Sequence, residues 1–209
     1  MHHSPDFRLS TEADLAALYA APMPTATRGT LNYLHDYHLA YLRRSPLVCI
    51  ASSGPEGLDV SPRGGEPGFV QVLDRRTLAI PDFPGNNKIE TLRNLVRDER
   101  VALLVLFPGL DIFLRIAGRA AVTRDPPLLE RLAHAGKRPI TAIVVGVELV
   151  YFHCGRAINR AKVWDPATHV ARDSVPSPGT MMRELCELTD MSAAELDAFY
   201  ERGMIDALY

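Results

Sequence analysis

Between Leu47 and Phe152 the chain repeats one device: a short β-prone apolar run, a tight turn cluster, and a second such run. Leu47 to Ser52 and Leu58 to Ser61 flank Ser53-Gly54-Pro55-Glu56-Gly57, and Phe69 to Leu73 and Thr77 to Pro81 flank Asp74-Arg75-Arg76. Each pair reads as a hairpin. Val101 to Phe107, Ile112 to Thr123 and Pro139 to Phe152 follow as longer strands, with Gly118 marking a bulge or bend. Short strands with tight connections and few crossover helices cannot build a parallel sheet. The expectation is an α+β fold around a closed or nearly closed antiparallel barrel of six or seven strands.

Helical spacing brackets that region. Leu15, Leu18 and Tyr19 lie behind Ser10 and Thr11, and a second helix opened by Thr27 or Thr30 places Leu31, Leu34, Tyr37, His38, Tyr41 and Leu42 on one face. Tyr33, Tyr37 and Tyr41 read as a packing stripe, and His38 as a core or boundary histidine. A short helix is expected from Asn87 as N-cap, with Glu90 at the capping-box spacing, and another from Pro126 to about His134. Beyond Pro176-Ser177-Pro178-Gly179, helices at about 180–189 and 192–207 carry Met182, Leu185 and Leu188, then Leu196, Phe199 and Tyr200. These face the barrel or a partner. The domain expectation is N-terminal helices on the barrel (1–45), the barrel itself (46–165) and a C-terminal helical extension (166–209).

A net charge of −2 supplies no broad basic field, so nucleic-acid binding is excluded as the main task. Cys49, Cys154 and Cys186 are odd in number and lack Cys-x-x-Cys spacing, which gives neither a disulfide framework nor a zinc site. Cys49 and Cys186 read as buried structural thiols. Met1 to Asp6 lacks the cationic and apolar regions of a signal peptide, and the longest purely apolar run, Val101 to Phe107, is too short to span a bilayer. A soluble cytoplasmic protein without a membrane role is expected. Dinucleotide, P-loop, nucleophile-elbow and His-Glu-x-x-His signatures are missing, as in enzymes whose chemistry resides in a cofactor.

Two segments concentrate the remaining chemistry. Ser61-Pro62-Arg63-Gly64-Gly65 ends a strand, and Pro81-Asp82-Phe83-Pro84-Gly85-Asn86-Asn87-Lys88 bridges a strand to a helix. A helix N-terminus with Lys88, the Arg63 fork and the Ser61 hydroxyl suits a phosphate. A solvated lysine and a turn arginine fit the same pattern. The second segment runs from Phe152-His153-Cys154-Gly155 through Arg156 and Arg160 to Trp164, the chain's one tryptophan. It reads either as cations on one helical turn facing an anionic ligand or as a surface helix anchored by a buried Trp. Adjacent His153-Cys154 makes a poor zinc site, and His35 with His38 belongs to packing, so no metal is expected.

The run Asp59-Val60-Ser61-Pro62-Arg63-Gly64, then Leu78-Ala79-Ile80-Pro81-Asp82, Gly85-Asn86-Asn87-Lys88, Leu92-Arg93-Asn94-Leu95 and Leu114 to Ala120 resembles the FMN-binding split barrel of the pyridoxamine 5′-phosphate oxidase-like superfamily. The resemblance covers about residues 30–165 and is nearest the branch with a His-Cys-Gly segment and a downstream Trp. It implies a homodimer with FMN sites at the interface, built from both subunits, and a flavoprotein oxidoreductase acting on a small molecule. Ser61, Pro62 and Arg63 would lie on the flavin-binding strand, Pro81 and Asp82 along the flavin edge, and Asn87 and Lys88 at the phosphate. Arg160 and Trp164 would approach from the second subunit. Leu58 stands where the oxidase strand has an arginine and Phe113 where it has a glutamine, and the tail gripping pyridoxal phosphate is not recognisable in Met182 to Tyr209. The resemblance thus carries FMN rather than a substrate. The alternative is a non-catalytic protein binding flavin, deazaflavin or haem.

Overall fold

A computed structural model of the chain describes residues 7–206, so the Met1–Asp6 segment and the expected helix end at residue 207 lie outside the described residues. The chain divides into two units, one up to Thr30 and one from Leu31 onward. In the first, α1 (Glu12–Ala16) starts at a capping box: the Thr11 side chain accepts from the Asp14 amide, and the Asp14 carboxylate accepts from the Thr11 amide. A single turn, α2 (Pro24–Thr27), follows, and Leu15, Leu18 and Tyr19 are exposed.

The second unit holds seven strands: β1 (Leu47–Gly54), β2 (Gly57–Gly64), β3 (Gln71–Asp74), β4 (Thr77–Asp82), β5 (Arg100–Leu106), β6 (Ile112–Thr123) and β7 (Thr141–Cys154). They pair in the order β2-β1-β5-β6-β7-β4-β3, every neighbour antiparallel. The two terminal strands of this order, β2 and β3, leave the sheet split rather than closed, in an α+β fold with flanking helices.

Alternation buries one face. Val48, Ile50, Val105, Leu114, Ile116, Ile143, Val145 and Val150 form the core with Leu34, Leu42, Leu78 and Ile80. Outward residues are also apolar where β1 meets its neighbours: Leu47, Cys49 and Ala51 pair with Leu106, Leu104 and Ala102 of β5. On the other side Cys49 and Ala51 pair with Pro62 and Val60 of β2, whose Leu58 and Val60 are 89% and 66% exposed.

Gly118 occupies the bulge between β6 and β7, where the register shifts after Ala117. A Cβ there would fall on the Gly146 carbonyl oxygen, so the bulge depends on the missing side chain. Gly155 is required for a similar reason. Its amide donates to the Asp111 carbonyl at 3.0 Å, and a Cβ would overlap the Asp111 backbone.

Several expectations about helices are corrected. The helix carrying His38 is α3 (Asp36–Leu42), opened by His35 and not by Thr27 or Thr30; Leu31 instead pairs with Val150 as an isolated bridge. Strand-like pairing at Leu31 ends any helix before it. The intended tyrosine stripe is broken: Tyr41 packs on Phe107 and Phe152, whereas Tyr33 and Tyr37 are exposed. The helix after β4 is α4 (Glu90–Leu95), preceded by Ile89 with no side-chain cap. Asn87 cannot cap it because its φ of 60° is left-handed, and the Lys88 amide donates to Asn86 Oδ1 in an Asx turn. Cys186 is exposed at the end of α7 (Pro178–Leu185), and Cys49 is half-buried. Their thiols are therefore not core elements.

The remaining helices are α5 (Pro126–Arg131), capped by Asp125; α6 (Arg156–Ala161); and α8 (Ala193–Asp206). The Ser192 and Glu195 reciprocal bonds form at the start of α8 as expected. Helices α7 and α8 pack on each other where Gly179 meets the backbone of Ala193 and Asp197; Leu196 is buried, while Leu185 and Phe199 stay exposed. Among the described residues no helix is long and apolar enough to cross a membrane.

His38 has a specific structural role. Only 4% exposed, it stacks near Phe152, and its Nδ1 accepts the His35 amide at 3.1 Å. Burial first, then the neighbouring His35, holds its pKa below the ordinary histidine value. The unfolded chain therefore binds a proton more readily. Stability contributed by neutral His38 is complete above about pH 6.5 and declines as the pH falls through its lowered folded value. Thermal midpoints recorded across acid pH should fall for the natural chain and fall less steeply for His38→Gln. Parallel curves would contradict this role.

Candidate functional site

Strand β2 delivers Ser61, Pro62 and Arg63 in succession, and the β4–α4 connection delivers Asn86 and Lys88 beside them. Together with Glu90 and Thr91 of α4 they line one cleft. Its frame is set by α4: buried Thr91 donates its hydroxyl to Asp59 Oδ2 at 3.0 Å, and Asn94 donates to Ser52 Oγ at 3.1 Å. These two bonds hold the helix against β1 and β2. Neither of these two bonds is legible in the sequence pattern, because a mid-helix polar residue gives no periodic signal, although Asn94 falls in a run that carries the resemblance.

Arg63 is the centre of the arrangement. Its Nη1 donates to Ser61 Oγ at 2.8 Å and to the Pro62 carbonyl at 3.0 Å. Its Nε lies 3.4 Å from Asp82 Oδ1, an ion pair without hydrogen-bond geometry, so that buried N–H has no hydrogen-bond acceptor. Both side chains are mostly buried, at 20% and 16% exposure. Burial raises the Asp82 pKa above the usual aspartate value, and the Arg63 charge opposes that rise without cancelling it. Directly across the β4–β7 ladder from Asp82, the buried Thr141 hydroxyl also lacks a partner. Two orphaned polar atoms at one location are uncommon in native folds.

The expected residues separate into three places. Ser61, Pro62, Arg63 and Lys88 share the cleft, and Asp82 joins them through Arg63. Buried Pro81 lines a neighbouring cleft instead, and Asn87 is an exposed residue of the connecting turn. Arg160 and Trp164 line neither. Arg160 is exposed on α6, and the Trp164 indole donates to the Leu110 carbonyl at 3.1 Å, tying the segment after α6 to the β5–β6 turn. Lys88 precedes α4 rather than occupying its first turn, and α4 is a single short helix, so the cleft's positive character rests on side chains. Asp59 and Glu90 in the same cleft offset it. Among the described residues no group of three His, Cys, Asp or Glu is placed to hold a metal.

The antiparallel split sheet, with a cleft at one edge strand and an apolar outer face beside it, defines the class. The pyridoxamine 5′-phosphate oxidase family model matches residues 34–154, and the chain belongs to that family. No curated protein matches the chain. Among solved structures, HupZ from Group A Streptococcus is similar at 12% identity, over 56% of this chain and 91% of its own, with a TM-score of 0.47. A Lactobacillus delbrueckii protein named for pyridoxamine 5′-phosphate oxidase is similar at 22% identity, over 58% of this chain and 95% of its own, with a TM-score of 0.46. The FAD binding protein from Mycobacterium smegmatis is similar at 13% identity, over 59% and 97%, with a TM-score of 0.42.

Proposed function

We propose that the chain is an FMN-binding oxidoreductase of small molecules, active as a homodimer. The observation that carries this reading is the cleft of Ser61, Arg63 and Lys88 with its orphaned, buried Arg63 N–H, in a chain of this family. The residues present fit a phosphate-bearing cofactor. Lys88 forms no ion pair among the described residues, and Ser61 and Arg63 add hydroxyl and guanidinium groups. Lys88 and Arg63 would hold the phosphate, and Pro81 and Asp82 would border the flavin ring. Flavin, when bound, supplies hydride or electron transfer. Asp82, held by Arg63, would place a carboxyl group beside that edge.

Two features favour a second copy. The cleft's two cations face Asp59 and Glu90, and Arg63 is also paired with Asp82, so a dianionic phosphate needs a further positive group, which Arg160 of the other copy would provide. The outward apolar residues of β1, β2 and β5 adjoin that cleft, and an outer sheet face of Leu, Val and Ala is stable when covered. The test is whether releasable FMN elutes with a species of twice the chain mass.

A further inference from the structure

The cleft bordered by Pro81 has a chemistry of its own. It encloses about 190 Å³ and opens to solvent on one side. Its walls are Phe69, Phe83, Leu132 and Pro81, which favour a flat apolar body. One wall is fixed by backbone bonds: the Gly65 amide donates to the Pro46 carbonyl and the Gly68 amide to the Ser45 carbonyl, both at 3.1 Å. Gly65 is necessary here because a Cβ would lie 2.7 Å from the Phe69 side chain. A wall ordered in advance costs little to organise on binding.

Two polar groups are aimed by partial use. Gln71 donates its side-chain N–H to the Gly68 carbonyl at 2.9 Å, which leaves its carbonyl oxygen as an acceptor. Arg131, the last residue of α5, donates one Nη2 bond to the Val72 carbonyl at 3.1 Å and forms no ion pair among the described residues. Its remaining N–H groups match a planar carboxylate. At 3.7 Å from His134, the exposed Glu66 carboxylate also lines the cleft and disfavours a second negative charge on a ligand.

We infer that this cleft binds a small, planar aromatic monocarboxylate, with the carboxylate on Arg131 and a donor group on Gln71. As a substrate site it rests on the flavin reading above, in which Pro81 would also border the flavin ring; as a binding site it rests on the cleft alone. Calorimetry with para-hydroxybenzoate, run on protein with and without added FMN, reads the two separately, because flavin content is measured by absorbance in the same samples. Saturable binding of one ligand per chain is expected, at least tenfold weaker for Arg131→Gln, partly restored by Arg131→Lys, and weaker for para-hydroxybenzamide. Thermal melting of each variant verifies folding. Absence of saturable binding, or equal affinity in folded Arg131→Gln, would overturn the inference whatever the flavin content.

Discussion

Arg63→Ala should lose both stability and cofactor affinity. Its guanidinium is the cation facing the mostly buried Asp82 carboxylate and the donor to Ser61. Removing one partner of such a pair leaves the other desolvated, at about 1–3 kcal/mol. The pH dependence follows from Asp82, whose folded pKa is already raised by burial and would rise further without Arg63. A raised carboxyl contributes stability that is complete below its unfolded value, near 4, and is lost as the pH rises through the folded value. The deficit of Arg63→Ala should therefore be largest at neutral pH and shrink on acidification, checked by denaturant unfolding at several pH values. FMN affinity should fall by about 1.5–3 kcal/mol in Arg63→Ala and, separately, in Lys88→Ala, since each removes a charge-assisted bond. Unchanged FMN affinity in both variants would sink the site assignment.

Gly118→Val is expected to be the most damaging single change in the sheet. The new Cβ would meet the Gly146 carbonyl and approach the Glu148 amide at 3.2 Å, in the middle of the longest ladder of the fold. Overpacking of this kind costs about 1–3 kcal/mol or more, which for a chain of this size lowers the thermal midpoint by roughly 2–12 °C. Gly203→Ala supplies the control. Nothing lies within 4 Å of a Cβ at that position in α8, so it should gain about 0.5–1 kcal/mol from reduced freedom of the unfolded chain. Equal melting of Gly118→Val and the natural chain would mean that the bulge does not need its glycine.

The strands were legible because their signal is local. All seven appear where β-prone runs lie between turn clusters, and Gly118 marks its own bulge. What sequence could not supply was the ordering β2-β1-β5-β6-β7-β4-β3, which depends on pairings between distant segments. Helix starts were lost for the same reason. The apolar spacing through Leu31 and Leu34 reads as helical, yet Leu31 bonds to Val150, far along the chain, and His35 caps the helix from an unusual residue type. At the site, Ser61, Arg63 and Lys88 converge as their motifs imply. The bonds of Thr91 and Asn94 and the partnerless Thr141 hydroxyl give no sequence signal, because they depend on segments distant in the chain, although Asn94 lies in a run that carries the family resemblance. Asn87 looked like a cap, but its left-handed backbone makes it a turn residue.

The central claim is best tested on the protein as purified. Size-exclusion chromatography with light scattering, monitored at 450 nm, should show a yellow species of twice the chain mass that releases FMN on denaturation. A colourless monomer that stays colourless and monomeric after incubation with excess FMN would contradict the account.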